Sequence, residues 1–148
     1  MNRTVAQAIR ILMAEDDVED QMLVTKAFER ARLANAVAIV NDGEELLDYL
    51  NRRGAYGSTP RPDLILLDLN MPRMDGREAL KAIKADAGLR QIPVVVLTTS
   101  AADEDILRSY DLGVNSYIEK PVTFDKLVEV VTALGQYWFE IVKLPPHR

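Results

Sequence analysis

The chain contains no cysteine. Disulfides, thiol nucleophiles and Cys-ligated metals are therefore excluded. It contains one histidine, the penultimate residue His147, which excludes a His-based triad or a multi-His metal centre. Standing in the C-terminal tail, that histidine reads as an exposed residue and not as a phosphodonor. No GxxxxGK[ST] loop is present to cradle a nucleotide. No apolar run is long enough to span a bilayer, and the opening MNRTVAQA lacks the hydrophobic stretch of a signal peptide. The expected location is the cytoplasm, with no membrane partner. Basic residues do not predominate: 18 Lys and Arg stand against 23 Asp and Glu, a net charge of −5. Nucleic-acid binding is not expected, because phosphate contacts need clustered cations.

What the chain does have is a core. Its 148 residues are 48% hydrophobic, enough for one domain. Short apolar runs alternate with helical patterns. The runs are Ile9 to Ala14, Ala36 to Val40, Leu64 to Leu67, Ile92 to Leu97, and the weaker Ser116-Tyr117-Ile118. Nearly continuous runs of this kind suit strands buried on both faces of a parallel sheet. Between them, apolar residues recur at i, i+3, i+4 spacing. These are Met22, Leu23, Ala27 and Phe28, then Leu46, Leu47 and Leu50, then Ala79, Leu80 and Ile83, then Ile106, Leu107 and Tyr110. Asp42-Gly43 and Leu112-Gly113 punctuate element ends. Residues 53–62 form the one long irregular connection. The expected fold class is α/β, five βα repeats with right-handed crossovers that cover both faces of the sheet.

From about Thr123, Phe124, Leu127, Val128, Val131, Leu134, Trp138 and Val142 follow one helical face that should pack on the sheet. A second flank, Val130, Tyr137 and Ile141, is expected to contact another subunit, because one domain face cannot bury both stripes. Leu144-Pro145-Pro146 ends the pattern.

In open α/β sheets, ligands sit beyond the carboxyl ends of the strands. The first run is followed by Glu15-Asp16-Asp17-Val18-Glu19-Asp20, the third by Asp68, the fourth by Thr98-Thr99-Ser100 and the fifth by Lys120-Pro121. Asp17, Glu19 and Asp20 read as a solvated helix start, where acids are favoured. Glu15, Asp16 and Asp68 are different, since they follow buried strands. Crowded carboxylates need a cation, and hard oxygen donors without His or Cys suit Mg²⁺ or Mn²⁺. Asp68 could then attack phosphorus, with the metal, the Lys120 ammonium and the Thr98 hydroxyl neutralising the phosphoryl oxygens.

Glu15-Asp16, Asp68, Thr98 and Lys120-Pro121, together with DLNMPRMDG from Asp68 to Gly76, resemble a two-component response-regulator receiver domain. The resemblance covers about residues 9–135, leaving 1–8 as an N-terminal extension and 136–148 as a C-terminal one. It implies a flavodoxin-like sheet of order 2-1-3-4-5 with an extended C-terminal helix and tail. It also implies Asp68 as phosphoacceptor. Asp16, Asp68 and the Asn70 main-chain carbonyl would hold the metal, with Glu15 acting through water. Thr98 and Lys120 would bind the phosphoryl group, and Tyr117 would be the switch aromatic. Asn70 and Ser100 would tune phosphoryl lifetime. The donor would be a phosphohistidine on a separate sensor kinase. Residues 136–148 are too few for a DNA-binding output domain, so a stand-alone regulator is expected, signalling by protein contact or onward phosphoryl transfer. The long connection before Pro62-Asp63, the stretch from Leu89 to Thr98 and the tail from Tyr137 to Pro146 resemble single-domain regulators paired with bacterial and cyanobacterial phytochrome kinases. That resemblance implies a homodimer made partly by the tail.

Three rivals differ at particular positions. A haloacid-dehalogenase-type phosphatase needs a second Asp where Asn70 stands, and Asn70 cannot shuttle a proton. A flavodoxin-like cofactor carrier needs a phosphate loop where the acids stand. An unphosphorylated scaffold would have lost site residues that are all present here. The expectation is a phosphoacceptor that assists its own phosphorylation and dephosphorylation, not a turnover enzyme.

Overall fold

The computed structural model describes residues 9–31, 34–69, 71, 73, 74, 76–98, 116–119, 125, 128, 129 and 132. Five strands make one parallel sheet: β1 (Ile9–Ala14), β2 (Ala34–Val40), β3 (Leu64–Asp68), β4 (Val94–Thr98) and β5 (Ser116–Glu119). Their order across the sheet is β2-β1-β3-β4-β5, as expected. Three helices are fully described: α1 (Val18–Ala31), α2 (Gly43–Leu50) and α3 (Gly76–Ala85). The helical pattern at 102–112, Trp138 and the second flank Val130, Tyr137 and Ile141 lie outside the described residues.

The apolar runs explain the sheet. Every residue of β3 is buried, and Leu12, Met13 and Ala14 of β1 are fully buried as well. Strands covered on both faces need such runs. The parallel register sets Ala14 beside both Val40 and Leu67, and Leu67 beside Val96. The carboxyl ends of β1, β3 and β4 therefore lie level. The fourth run starts later than its apolar residues suggest. Ile92 and Pro93 precede β4, and proline cannot donate to a ladder. The Pro93 carbonyl still accepts from Ile65 at 3.0 Å.

The helices begin where side chains cap them. Asp17 Oδ1 accepts from the Asp20 N–H at 3.1 Å at the start of α1. Asp42 Oδ1 accepts from the Glu45 N–H at 2.8 Å at the start of α2. Both are N-caps, each satisfying a backbone donor that the helix leaves open. One expectation for α1 is corrected. Met22 is 54% exposed, whereas Val24, Ala27 and Phe28 are buried. At about 100° per residue, Met22 lies on the far side of the helix from those three. The inward stripe is Val24-Ala27-Phe28.

Residues 53–62 are less irregular than their composition suggests. Gly54–Tyr56 form a short 3-10 turn. The Tyr56 ring packs on Tyr49 of α2, with centroids 5.1 Å apart. Arg61 donates to the Gly88 carbonyl, which ties the connection to the segment after α3.

Two glycines let the loops close on the site. The Gly43 N–H donates to the Met74 carbonyl at 3.1 Å, and the Gly76 N–H donates to the Leu69 carbonyl at 3.0 Å. A Cβ at Gly76 would collide with the Asp68 carbonyl oxygen and come within 2.6 Å of the Leu69 Cα. Both obstacles are backbone, so neither can swing away. Gly76→Ala should destabilise the protein by about 1–3 kcal/mol, despite the better helix propensity of alanine. Denaturant unfolding of the two proteins measures this; an unchanged midpoint would contradict the close packing.

Candidate functional site: a carboxylate edge

The level strand ends place three acids together. Glu15, the first residue after β1, is fully buried. Its N–H donates to the Val40 carbonyl at 3.0 Å, so its backbone still follows the sheet. Asp68, the last residue of β3, is only 2% exposed. Asp16 is exposed. One carboxylate oxygen from each of Glu15, Asp16 and Asp68 lies within 4.8 Å of the other two.

The local backbone holds this arrangement. The Asp17 N–H donates to Glu15 Oε2 at 3.0 Å, folding the Glu15 carboxylate back over its own turn. Beyond Asp68, the Leu69 N–H donates to the Leu97 carbonyl at 3.0 Å. Leu69 and Met71 are buried, and anchor the loop on either side of position 70. Arg73 has a positive φ of 63°. Its guanidinium meets Asp42 Oδ2 at 3.3 Å, bridging the loop to the start of α2. Asp17, Glu19 and Asp20 do not join the cluster, and Asp17 caps α1 instead.

The other sequence candidates divide in two. Thr98 ends β4 opposite Glu119 of β5, and Tyr117 lies in β5 opposite Val96. Asn70, Ser100 and Lys120 lie outside the described residues. Lys120 follows directly on Glu119, and Asn70 follows on Leu69.

The sequence reading missed a group of polar side chains beside the acids. Gln21 of α1 donates to the Glu15 carbonyl at 2.6 Å and to Asn41 Oδ1 at 3.1 Å. Glu45 Oε1 accepts from the Asn41 N–H at 2.7 Å. Glu45 Oε2 accepts from the Tyr56 hydroxyl at 2.5 Å. One signal was present: Asp42 and Glu45 have the spacing of a capping box, with Glu45 reaching one residue further back than usual. Nothing in the spacing of Gln21 and Tyr56 announces that they join the same chain.

Three carboxylates of this kind offer hard oxygen donors without nitrogen or sulfur. That donor set fits Mg²⁺ or Mn²⁺, which bind one or two carboxylates and keep several waters.

A family model described as the response regulator receiver domain matches residues 11–132. The chain belongs to the response-regulator receiver family. Members of this family accept a phosphoryl group on an aspartate. Response regulator Rcp1 of Synechocystis sp. is 42% identical over 135 residues, covering 91% of this chain and 92% of Rcp1. Among solved structures, the phosphorylated cyanobacterial phytochrome response regulator RcpA superposes with a TM-score of 0.84 at 42% identity, covering 94% of this receiver and 99% of that chain. The Mn²⁺-bound form of Rcp1 gives a TM-score of 0.82 at 40% identity, covering 93% and 99%. The receiver is thus related to regulators that carry the phytochrome name. Among its described residues, no helix is long and apolar enough to cross a membrane.

The polar chain beside the acids has a measurable consequence. The hydrogen bond to Glu45, then burial, then the charges of Glu45 and Asp48, push the Tyr56 phenol up from 10.0 to about 12. The folded state thus holds this proton more tightly than the unfolded state does. The associated stability is fully present below pH 10 and is lost as pH rises toward 12. Between those values, unfolding midpoints in denaturant should fall more steeply with pH for the wild type than for Tyr56→Phe. Parallel curves would mean that the Tyr56–Glu45 bond does not form in solution.

Proposed function

We propose that this receiver takes a phosphoryl group onto the Asp68 carboxylate from a phosphohistidine on a sensor kinase, and passes the signal on by protein contact or phosphorelay. The observation that carries the reading is the meeting of Glu15, Asp16 and Asp68 at the level strand ends, all within 4.8 Å. The relationship to phytochrome response regulators supports a bacteriophytochrome as the partner kinase.

The roles follow from position. An Asp68 carboxylate oxygen would attack phosphorus in line. The new O–P bond would form as the N–P bond to the donor imidazole breaks, and the imidazole would leave with its electron pair. The burial of Asp68 would limit water at the acyl phosphate. Asp16 and Asp68, with the Asn70 carbonyl, would hold Mg²⁺ or Mn²⁺, and Glu15 would act through water. When bound, the cation supplies positive charge against the carboxylates and the phosphoryl oxygens. The Mn²⁺-bound form of Rcp1 supports this assignment. Thr98 and Lys120 would hold the phosphoryl oxygens, and Tyr117 would report the change as the switch aromatic. Asn70 and Ser100 would set phosphoryl lifetime.

In this reading the chain assists its own phosphorylation and dephosphorylation and turns over no other substrate. It works in the cytoplasm as a single receiver spanning residues 9–135. The sequence stripe Val130, Tyr137 and Ile141 supports a homodimer contact through the C-terminal extension.

Two experiments test the site. With acetyl phosphate and Mg²⁺, wild type should gain the mass of one phosphoryl group and Asp68→Asn should not. Equal labelling of both would overturn the assignment. In a calorimetric Mg²⁺ titration, Asp16→Ala should bind at least about tenfold more weakly, since even outer partners of a metal ligand change affinity that much. Unchanged affinity would remove Asp16 from the metal site.

A further inference from the structure

The carboxylate edge is joined to a distant surface segment by a continuous line of hydrogen bonds. Glu15 lies just beyond β1, and its carbonyl accepts from the Gln21 side-chain amide at 2.6 Å. The same amide nitrogen has a second hydrogen, which goes to Asn41 Oδ1 at 3.1 Å. The Asn41 N–H donates to Glu45 Oε1 at 2.7 Å, and Glu45 Oε2 takes the Tyr56 hydroxyl at 2.5 Å. Tyr56 belongs to the connection at 53–62, which is also held by its ring contact with Tyr49.

The geometry of one peptide explains why this matters. The Glu15 carbonyl and the Asp16 N–H share a rigid plane. Fixing the carbonyl therefore fixes the direction in which Asp16 leaves the sheet. Asp16 is exposed, so packing does little to hold it. The Gln21 amide anchors that plane by donating to its carbonyl oxygen. Asn41 and Glu45 fix the amide in turn, and Tyr56 fixes Glu45.

We propose that Gln21 is a positioning residue for the divalent cation, and that the line Gln21–Asn41–Glu45–Tyr56 lets the connection at 53–62 set how tightly the carboxylate edge binds it. The proposal rests on the assignment of Asp16 and Asp68 as metal ligands. It implies that a partner engaging residues 53–62 changes cation affinity without touching the acids.

The test is a calorimetric Mg²⁺ titration of the full chain, with thermal midpoints taken in the absence of metal. Gln21→Ala should raise the Mg²⁺ dissociation constant about tenfold, the scale seen when a partner of a metal ligand is lost. Its metal-free midpoint should stay close to wild type, because Gln21 is only half-buried on a helix surface. Phosphorylation by acetyl phosphate should need proportionally more Mg²⁺ and recover the wild-type rate at saturation. Tyr56→Phe keeps the ring contact and loses only the hydroxyl, and should shift the dissociation constant in the same direction by about two- to threefold, for a hydrogen bond of ordinary net strength acting at a distance. Wild-type affinity in Gln21→Ala would overturn the proposal. A shift in Gln21→Ala with none in Tyr56→Phe would overturn the part that reaches the connection. Asp16→Ala run alongside separates the two failures. If it also leaves affinity unchanged, the metal assignment itself is wrong, whereas a loss in Asp16→Ala alone condemns only the line through Gln21.

Discussion

The constraint on which the site depends is the repulsion among carboxylates at one edge of a buried sheet. Two unit charges no more than 4.8 Å apart repel by at least about 3 kcal/mol at an effective dielectric of about 20. Glu15 and Asp68 are both nearly inaccessible to water, so bulk solvent screens them poorly. The fold brings them together all the same, because neither residue is placed by its own preference. Each is the next residue after a run of buried aliphatic side chains. The hydrophobic burial of β1 and β3 is large and cooperative, and it carries two acids with it.

Alignment turns that proximity into a site. Parallel strands can slide, and a shift of one residue would turn every inward side chain outward. Here the register runs unbroken from Leu12 through Ile65 to Val94, so the ends of β1, β3 and β4 are level. The loops then close over the ends. Gly43 and Gly76 permit an approach that any Cβ would block, and their N–H groups donate to the Met74 and Leu69 carbonyls. Arg73 adds an ion pair to Asp42 from a left-handed backbone position. Gly43 and Gly76, which look like ordinary turn glycines, thus bear directly on where Asp68 can stand.

Much of this was legible in the sequence, and the reason lies in burial. Runs such as LILLD and VVVLT have few alternatives to a buried parallel strand, so strand existence and order followed from pattern and resemblance. The acids were legible because they follow those runs. Met22 departs from the expected stripe because an apolar side chain in an amphipathic helix carries no label for which face it joins, and Val24 is buried with Ala27 and Phe28 instead. β4 starts later than its apolar run because apolar composition does not register that Pro93 lacks a donor. The Gln21–Asn41–Glu45–Tyr56 line was invisible for a different reason. It joins residues from four segments, each of which alone has an unremarkable surface role, and long-range polar contacts leave no periodicity behind.

The two halves of the structure therefore obey different rules. The sheet and its acids are specified redundantly, by many apolar contacts that each tolerate some change. The polar line is specified by few contacts, one hydrogen bond at most steps and two between Asn41 and Glu45, so the loss of a single side chain breaks the path. Robust burial suits the part that must always present the carboxylates. A thin line of directional bonds suits the part that adjusts them, since a small free energy can make or break it without disturbing the core. On this view the fold concentrates charge where the strands end, and leaves its adjustment to directional side-chain hydrogen bonds outside the aliphatic core.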